Sequence, residues 1–236
     1  MAVVIAAPAS GSGKTLISLA LLSWARARGE SVQPFKVGPD YLDPQLLSEA
    51  AGRSCRNLDL NLCGEPWVRK AFHGYGGVCS MALIEGVMGL FDGIGSTEEG
   101  STAAIARLLH LPLVLVVDAG GQAASLGALV RGFRDHDPRL NLAGVVINRV
   151  NSDRHRALLQ DVLDRLDVPL LGCMPRTDAL QLPSRHLGLA PAHELDNLAQ
   201  RRQAWADLAE QHLDLSTLAP LMRAPAAGPS VFADIP

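Results

Sequence analysis

The feature that most restricts what this chain can fold into is the apolar run Ala2–Ala7, which passes through Pro8-Ala9-Ser10-Gly11-Ser12-Gly13-Lys14-Thr15 into helical apolar spacing at Leu16, Leu19, Ala20 and Leu22. Glycines there let backbone N–H groups curl around phosphates, the helix N-terminus favours negative charge, and a lysine reaches the outer phosphates. Ser10, Gly11, Ser12, Gly13, Lys14 and Thr15 therefore read as a phosphate loop for a nucleotide, with Thr15 in the place of a magnesium-ligating hydroxyl. One position departs from the usual pattern: Pro8 stands where the motif has glycine.

Five further short runs rich in Val, Ile and Leu follow at Val32–Lys36, Met81–Ile84, Leu113–Val117, Ala143–Ile147 and Leu170–Cys173. Helical patterns lie between most of them, at Lys14–Arg28, Thr102–Leu109, Ser125–Arg134 and Arg154–Leu166, the last preceded by Ser152 and Asp153 as caps. Alternation of this kind predicts an α/β fold, a mainly parallel sheet with helices on both faces, whose ligands bind at the carboxyl ends of the strands. Beyond residue 194 the sequence predicts a helical segment to 223, with a helix over Leu195–Leu213, packed on the 1–194 core, and an Ala/Pro-rich tail or linker, Ala224–Pro236. With 48% of 236 residues hydrophobic, a sizeable core is expected. A net charge of −3 without like-charge runs argues against a nucleic-acid face. Leu111–Val117 is too short to span a bilayer, so no membrane partner and a cytoplasmic location are expected. The cysteines, Cys55, Cys63, Cys79 and Cys173, lack zinc-site spacing and read as reduced thiols.

The acidic residues gather where strands should end. After Val32–Lys36 comes Val37-Gly38-Pro39-Asp40-Tyr41-Leu42-Asp43-Pro44, two carboxylates beside Lys36 that suit magnesium coordination or substrate orientation. Asp40 is read as functional, while Asp43 before Pro44 reads equally as a helix N-cap followed by proline at N1. After Met81–Ile84 comes Glu85-Gly86-Val87-Met88-Gly89-Leu90-Phe91-Asp92-Gly93. A carboxylate at the end of a buried strand can hold a metal or its water, and the glycines allow close backbone approach to a moving phosphoryl group. That makes Glu85 a second metal anchor and Asp92 a further candidate. Asn148-Arg149 and Pro175-Arg176 end two later runs and can hold a purine through the Asn amide and a backbone turn. His186 is a lone histidine, of the kind that is more often structural.

In order along the chain, P-A-S-G-S-G-K-T, S-V-Q-P-F-K-V-G-P-D-Y-L-D-P, R-N-L-D, I-E-G-V-M-G-L-F-D-G, L-N-L-A-G-V-V-I-N-R-V and L-P-S-R-H-L-G-L resemble the synthetase domain of the cobyrinic acid a,c-diamide synthase family. These are cobalamin-pathway amidotransferases related in fold to dethiobiotin synthetase. The resemblance implies that ATP phosphorylates the a and c acetate side chains of a cobyrinic or hydrogenobyrinic acid and that ammonia released from glutamine displaces the phosphate. It implies a catalytic set of Lys14, Asp40, Asp43, Glu85 and Asp92. Within it Lys14, joined by Lys36, steadies phosphate charge, Thr15, Asp40 and Glu85 organise Mg2+, and Asp43 and Asp92 orient the corrin carboxylate or ammonia. Lys36, Asn148, Pro175 and Arg176 would complete the ATP site around the phosphate loop.

Two departures qualify the resemblance. Ser184 stands where the family has a glutamate before the Arg-His pair, and the sequence given stops at Pro236 where family members continue into a glutaminase domain. Cys173 lacks the flanking glycines of a nucleophile elbow. The expectation is a synthetase without its own glutaminase, fed by a separate glutaminase domain or chain, and forming a homodimer. The alternatives are a carboxylate-activating enzyme like dethiobiotin synthetase or cobyric acid synthase, or a non-catalytic ATP-binding fragment. A nucleotide-switched positioning ATPase is disfavoured, because Ala9 stands where those proteins carry an extra lysine.

Overall fold

The structure, a computed structural model, describes residues 1–176, 184, 185, 188, 189 and 194–231. Ala2, Val4 and Ala6, in and beside the first strand β1 (Val3–Ala6), enter one apolar cluster, and Val3, Ile5 and Ala7 enter another. Successive side chains of a strand point to opposite faces, so a strand apolar at every position needs cover on both sides of its sheet. β1 is the central strand of seven, with β2 (Val32–Val37), β3 (Arg56–Leu58), β4 (Met81–Glu85), β5 (Pro112–Asp118), β6 (Asn141–Val150) and β7 (Leu170–Pro175) in the order β3-β2-β4-β1-β5-β6-β7. All neighbouring pairs in this sheet are parallel.

Among the described residues, the cover divides between eight helices. α1 (Lys14–Ala27), α2 (Asp43–Ala51), α7 (Leu198–His212) and α8 (Leu215–Leu221) pack on one face; α3 (Leu60–Gly76), α4 (Thr102–Leu109), α5 (Ser125–His136) and α6 (Asp153–Asp164) pack on the other. α3, α4 and α6 open with side-chain caps from Asp59, Ser101 and Ser152. α1 opens on Gly13 with no side-chain cap and no acidic residue in its first turn, which leaves its first amides and its positive dipole end available to a ligand.

Beyond the predicted patterns the structure adds β3 and α3; α2 begins at Asp43, just ahead of Pro44, α8 lies inside the predicted 195–223 helical segment, and the predicted Leu195–Leu213 helix runs from Leu198 to His212. β3 is a three-residue strand with two polar positions, and α3 is broken by a non-helical Gly64 and by Pro66, so neither shows the usual periodicity. The Ala/Pro-rich tail lies against the amino edge of the sheet as far as it is described. The Ala224 amide donates to the Ser80 carbonyl, the Gly228 amide to that of His73, and Val231 is buried. Ser184–Arg185 (β8) and Gly188–Leu189 (β9) form a separate antiparallel ribbon; His186 lies outside the described residues. All four cysteines are free. Among the described residues, no helix is long and apolar enough to cross a membrane.

Strand order decides the site. The chain leaves β1, skips one place to β2, and returns later to insert β4 between them. Glu85 therefore stands in register with Lys36 of β2 on one side and Ile5 of β1 on the other. The carboxyl ends of β1, β2 and β4 open on the same edge, beside the start of α1.

Trp205 of α7 is fully buried in the cluster shared with α1, and its indole N–H has no partner among the described residues. Trp205→Ala should lower the unfolding free energy in urea by about 3–5 kcal/mol. Trp205→Phe should cost much less, because it also removes the orphaned donor. Equal stability of wild type and Trp205→Ala would contradict the packing of α7 as core.

Candidate active site

The phosphate loop is held by what surrounds it. Gly13 has φ 109°, and a Cβ there would lie 2.1 Å from Asn148 Nδ2, so only glycine fits. Asn148 is buried; its Nδ2 donates to the Ser12 carbonyl at 3.0 Å and its Oδ1 accepts from the Arg149 amide. The amide expected to hold a purine thus braces the loop from β6. Arg149, itself at φ 59°, pairs with Asp118 at the end of β5 and reaches the Gly11 carbonyl at 3.3 Å. On the other side Leu90 donates to the Ala7 carbonyl, and a Cβ on Gly89 would lie 2.6 Å from the Pro8 carbonyl oxygen. The loop after β4 thus closes against Pro8.

Lys14 is 7% exposed, and its ammonium donates to the Met88 carbonyl at 2.5 Å and the Ala9 carbonyl at 3.4 Å. Burial pulls its pKa below the ordinary lysine value, opposed by the charge of Glu85. Asp92 also acts on Lys14 through its charge; it is exposed, and its Oδ2 accepts from the Gly89 amide at 2.7 Å, closing the turn that presents Met88.

The centre of the site is a buried row of charges. Glu85 has no solvent exposure and Lys36 only 2%. Lys36 Nζ donates to Glu85 Oε1 at 2.8 Å, to Asp43 Oδ2 at 2.6 Å and to the Gly86 carbonyl at 3.1 Å. Burial disfavours the Lys36 cation, but Glu85 and Asp43 outweigh it and raise the lysine's pKa well above its ordinary value. Asp43 is pushed up, first by burial and then by Glu85, with Lys36 pulling the other way. Thr15 Oγ1 donates to the same Glu85 Oε1 at 3.0 Å. Among the described residues, Glu85 Oε2 is buried without a hydrogen-bond partner, and an orphaned carboxylate oxygen near the phosphate-loop hydroxyl suits a divalent cation.

Asp40 behaves differently from Asp43. Its Oδ1 accepts from the Leu42 and Asp43 amides at 2.9 and 3.1 Å in the turn that leads into α2, and its Oδ2 is 3.9 Å from Lys36 Nζ. Leu42 holds the N-cap position of α2, so Asp43 is not the cap but the first residue of the helix, and its carboxylate joins the charged row. Among the described residues, no three His, Cys, Asp or Glu side chains are grouped to hold a metal by themselves. Pro175 ends edge strand β7, in register with Val150, and Arg176 follows it, exposed. Sequence reasoning missed Asn57, whose amide holds the Asp40 loop, and Thr102, whose hydroxyl accepts from the Val87 amide at 2.9 Å. The R-N-L-D string was the one available pointer to Asn57.

Residues 3–189 match the family described as the CobQ/CobB/MinD/ParA nucleotide binding domain. The chain belongs to that family. It is 47% identical over 223 residues to the cobyrinate a,c-diamide synthase of Gloeobacter violaceus, covering 94% of this chain and 49% of that protein. It is 52% identical over 193 residues to the hydrogenobyrinate a,c-diamide synthase of Streptomyces coelicolor, covering 81% and 40% respectively. The chain spans about half the length of the curated relatives it matches. Among solved structures, chloroplast FtsY from Physcomitrella patens superimposes with a TM-score of 0.54 at 16% identity, over 88% of this chain and 64% of that one, a likeness of fold.

The two lysines should separate in stability measurements on nucleotide-free protein. A lysine whose pKa falls on folding weakens the fold wherever it is still charged, and the cost disappears only above the ordinary lysine value. Lys14→Met should therefore melt no lower than wild type, while losing the rise in Tm that Mg2+ and ATP give. A raised pKa has the opposite sign: the contribution of Lys36 is present across neutral pH and is lost only as strongly alkaline solution passes its folded value. Lys36→Met leaves buried Glu85 without its cation and should cost about 3–5 kcal/mol by urea unfolding at pH 7. The reverse ranking of these two variants would contradict the assigned electrostatics.

Proposed function

We propose that the chain is the synthetase part of an amidoligase: it uses ATP to convert the a and c acetate side chains of cobyrinic or hydrogenobyrinic acid to amides, in cobalamin biosynthesis. The observation that carries this reading is the coincidence of relatives named for that reaction, at 46–52% identity, with a phosphate loop and a buried Lys36–Glu85–Asp43 row opening on one edge.

A carboxylate is a poor electrophile until its oxygen becomes a good leaving group. Attack of the acetate oxygen on the γ-phosphorus of ATP forms an acyl phosphate and releases ADP. Ammonia then adds to the acyl carbon, the C–O bond to phosphate breaks, and the amide, phosphate and a proton leave. The loop amides and Lys14 bind the triphosphate and meet the charge that moves with the phosphoryl group. Thr15 and Glu85 would hold Mg2+, which would supply positive charge against that of the phosphates. Asp40 serves by shaping the loop. Lys36 sits between Asp43 and Glu85 and hydrogen-bonds to both, so its cation stands beside the two carboxylates where a polyanionic substrate would approach. Asp43 and Asp92, the outer carboxylates, orient the substrate acetate or the incoming ammonia.

The loops after β2 and β4 also expose Tyr41, 80% accessible, and Met88, 43% accessible, apolar surface that suits a large flat ring. The nitrogen is supplied as ammonia by a glutaminase segment or chain. Cys173 is an unsuitable nucleophile, being buried with its thiol pushed up in pKa by that burial.

With cobyrinic acid, ammonium, Mg2+ and ATP, mass spectrometry should show two successive amidations coupled to ADP release. Lys14→Ala and Glu85→Gln should each lower the rate by about a hundredfold or more. An unaltered corrin in the wild-type reaction, or undiminished turnover in either variant, would overturn the reading.

A further inference from the structure

Asn57, on the short strand β3, has no part in the chemistry described above, yet it stands in the row that matters. Asn57 is in register with Lys36, and Lys36 with Glu85, so three parallel strands present Asn57, Lys36 and Glu85 side by side on one face of the sheet. The Asn57 Nδ2 donates to two carbonyls of the neighbouring loop, Gly38 at 2.8 Å and Asp40 at 2.9 Å. The same loop is tied to β3 a second time, by the Gly38 amide on the Leu58 carbonyl at 3.0 Å, and Gly38 turns there through φ 78°. From this anchor the contacts run in sequence: Asp40 Oδ1 holds the Leu42 and Asp43 amides, Asp43 Oδ2 meets Lys36, and Lys36 meets Glu85, which meets Thr15.

We propose that Asn57 is a positioning residue of the candidate active site. By fixing the Gly38 and Asp40 carbonyls, its amide sets where Asp43 meets Lys36, and thereby the side of the site that receives the substrate carboxylate; this rests on the amidoligase reading. The phosphate loop is braced separately, by Asn148 and by the loop after β4. Loss of the Asn57 amide therefore disturbs the carboxylate side and spares nucleotide binding. Both N–H groups are needed, one for each carbonyl. Aspartate keeps the shape of asparagine but puts oxygen against two carbonyl oxygens.

The test compares wild type, Asn57→Ala and Asn57→Asp. With cobyrinic acid, ammonium, Mg2+ and ATP, both variants should lose about tenfold or more in kcat, while KM for ATP and the calorimetric Kd for ATP stay within about threefold of wild type. A role in packing alone would be spared by the isosteric Asp; activity restored in Asn57→Asp would overturn the proposal, as would wild-type kcat in Asn57→Ala. Hydrogen exchange on the same proteins gives a readout independent of activity. The Leu42 and Asp43 amides should lose protection by about tenfold in both variants while those of α1 keep theirs; unchanged protection at Leu42 and Asp43 would also overturn the proposal. If wild type turns over no corrin but the variants lose that protection, the amidoligase reading falls and the positioning role stands.

Discussion

The interaction on which the rest of the structure depends is the contact between Lys36 and Glu85 inside a parallel sheet. An ionised carboxylate with no solvent exposure is tolerated only if a cation and hydrogen bonds replace the water it has lost. Here the cation comes from the adjacent strand in register, and the hydroxyl of Thr15 shares the same carboxylate oxygen. One oxygen is satisfied and the other is not. A core built only for stability would place an apolar pair in this row, as it does one strand further at Ile5 and Val114. Keeping charge here makes sense where charge is to be handled.

The same edge divides into two halves with different mechanical support. The phosphate loop rests on β6 through Asn148 and on the turn after β4 through Leu90 and Gly89. The acidic half rests on β3 through Asn57 and on the turn in which Asp40 Oδ1 accepts from the Leu42 and Asp43 amides. Lys14 is buried among carbonyls at a cost to its own ionisation, a cost that phosphate would relieve. Lys36 is buried among carboxylates and gains by it. On the proposed function, a site that brings a triphosphate against a polyacid needs one cation free for phosphate and one already paired within the protein, and the two lysines divide in that way.

Much of this was legible in the sequence because the chemistry sits at strand exits. The run Ala2–Ala7 followed by the glycine-rich loop marked the central strand and α1, and Glu85 and Lys36 were visible as charges ending apolar runs. That the two touch was not legible. Their contact depends on β4 being inserted between β1 and β2, and nothing in local periodicity encodes strand order. The division of labour between Asp40 and Asp43 was equally hidden, since which carboxylate holds the loop's amides and which bonds Lys36 is a matter of backbone geometry within one turn. Asn57 was overlooked because a strand of three residues with two polar positions carries no pattern, and α3 because Gly64 and Pro66 interrupt its period. At Asn148, expected to hold a purine, the bracing of the Ser12 carbonyl depends on a contact between β6 and the phosphate loop that the sequence does not show.

On the proposed function, Glu85, held by Lys36 and Thr15 through one oxygen, offers the other to a divalent cation that arrives with the nucleotide. Titration of Mn2+ in the presence of ADP, followed by the EPR signal of the free ion, tests it directly on wild type and Glu85→Gln. The account requires nucleotide-dependent Mn2+ binding in wild type and a loss of about tenfold or more in the variant, with metal-free ADP affinity retained. Equal Mn2+ affinity in the two proteins would contradict it.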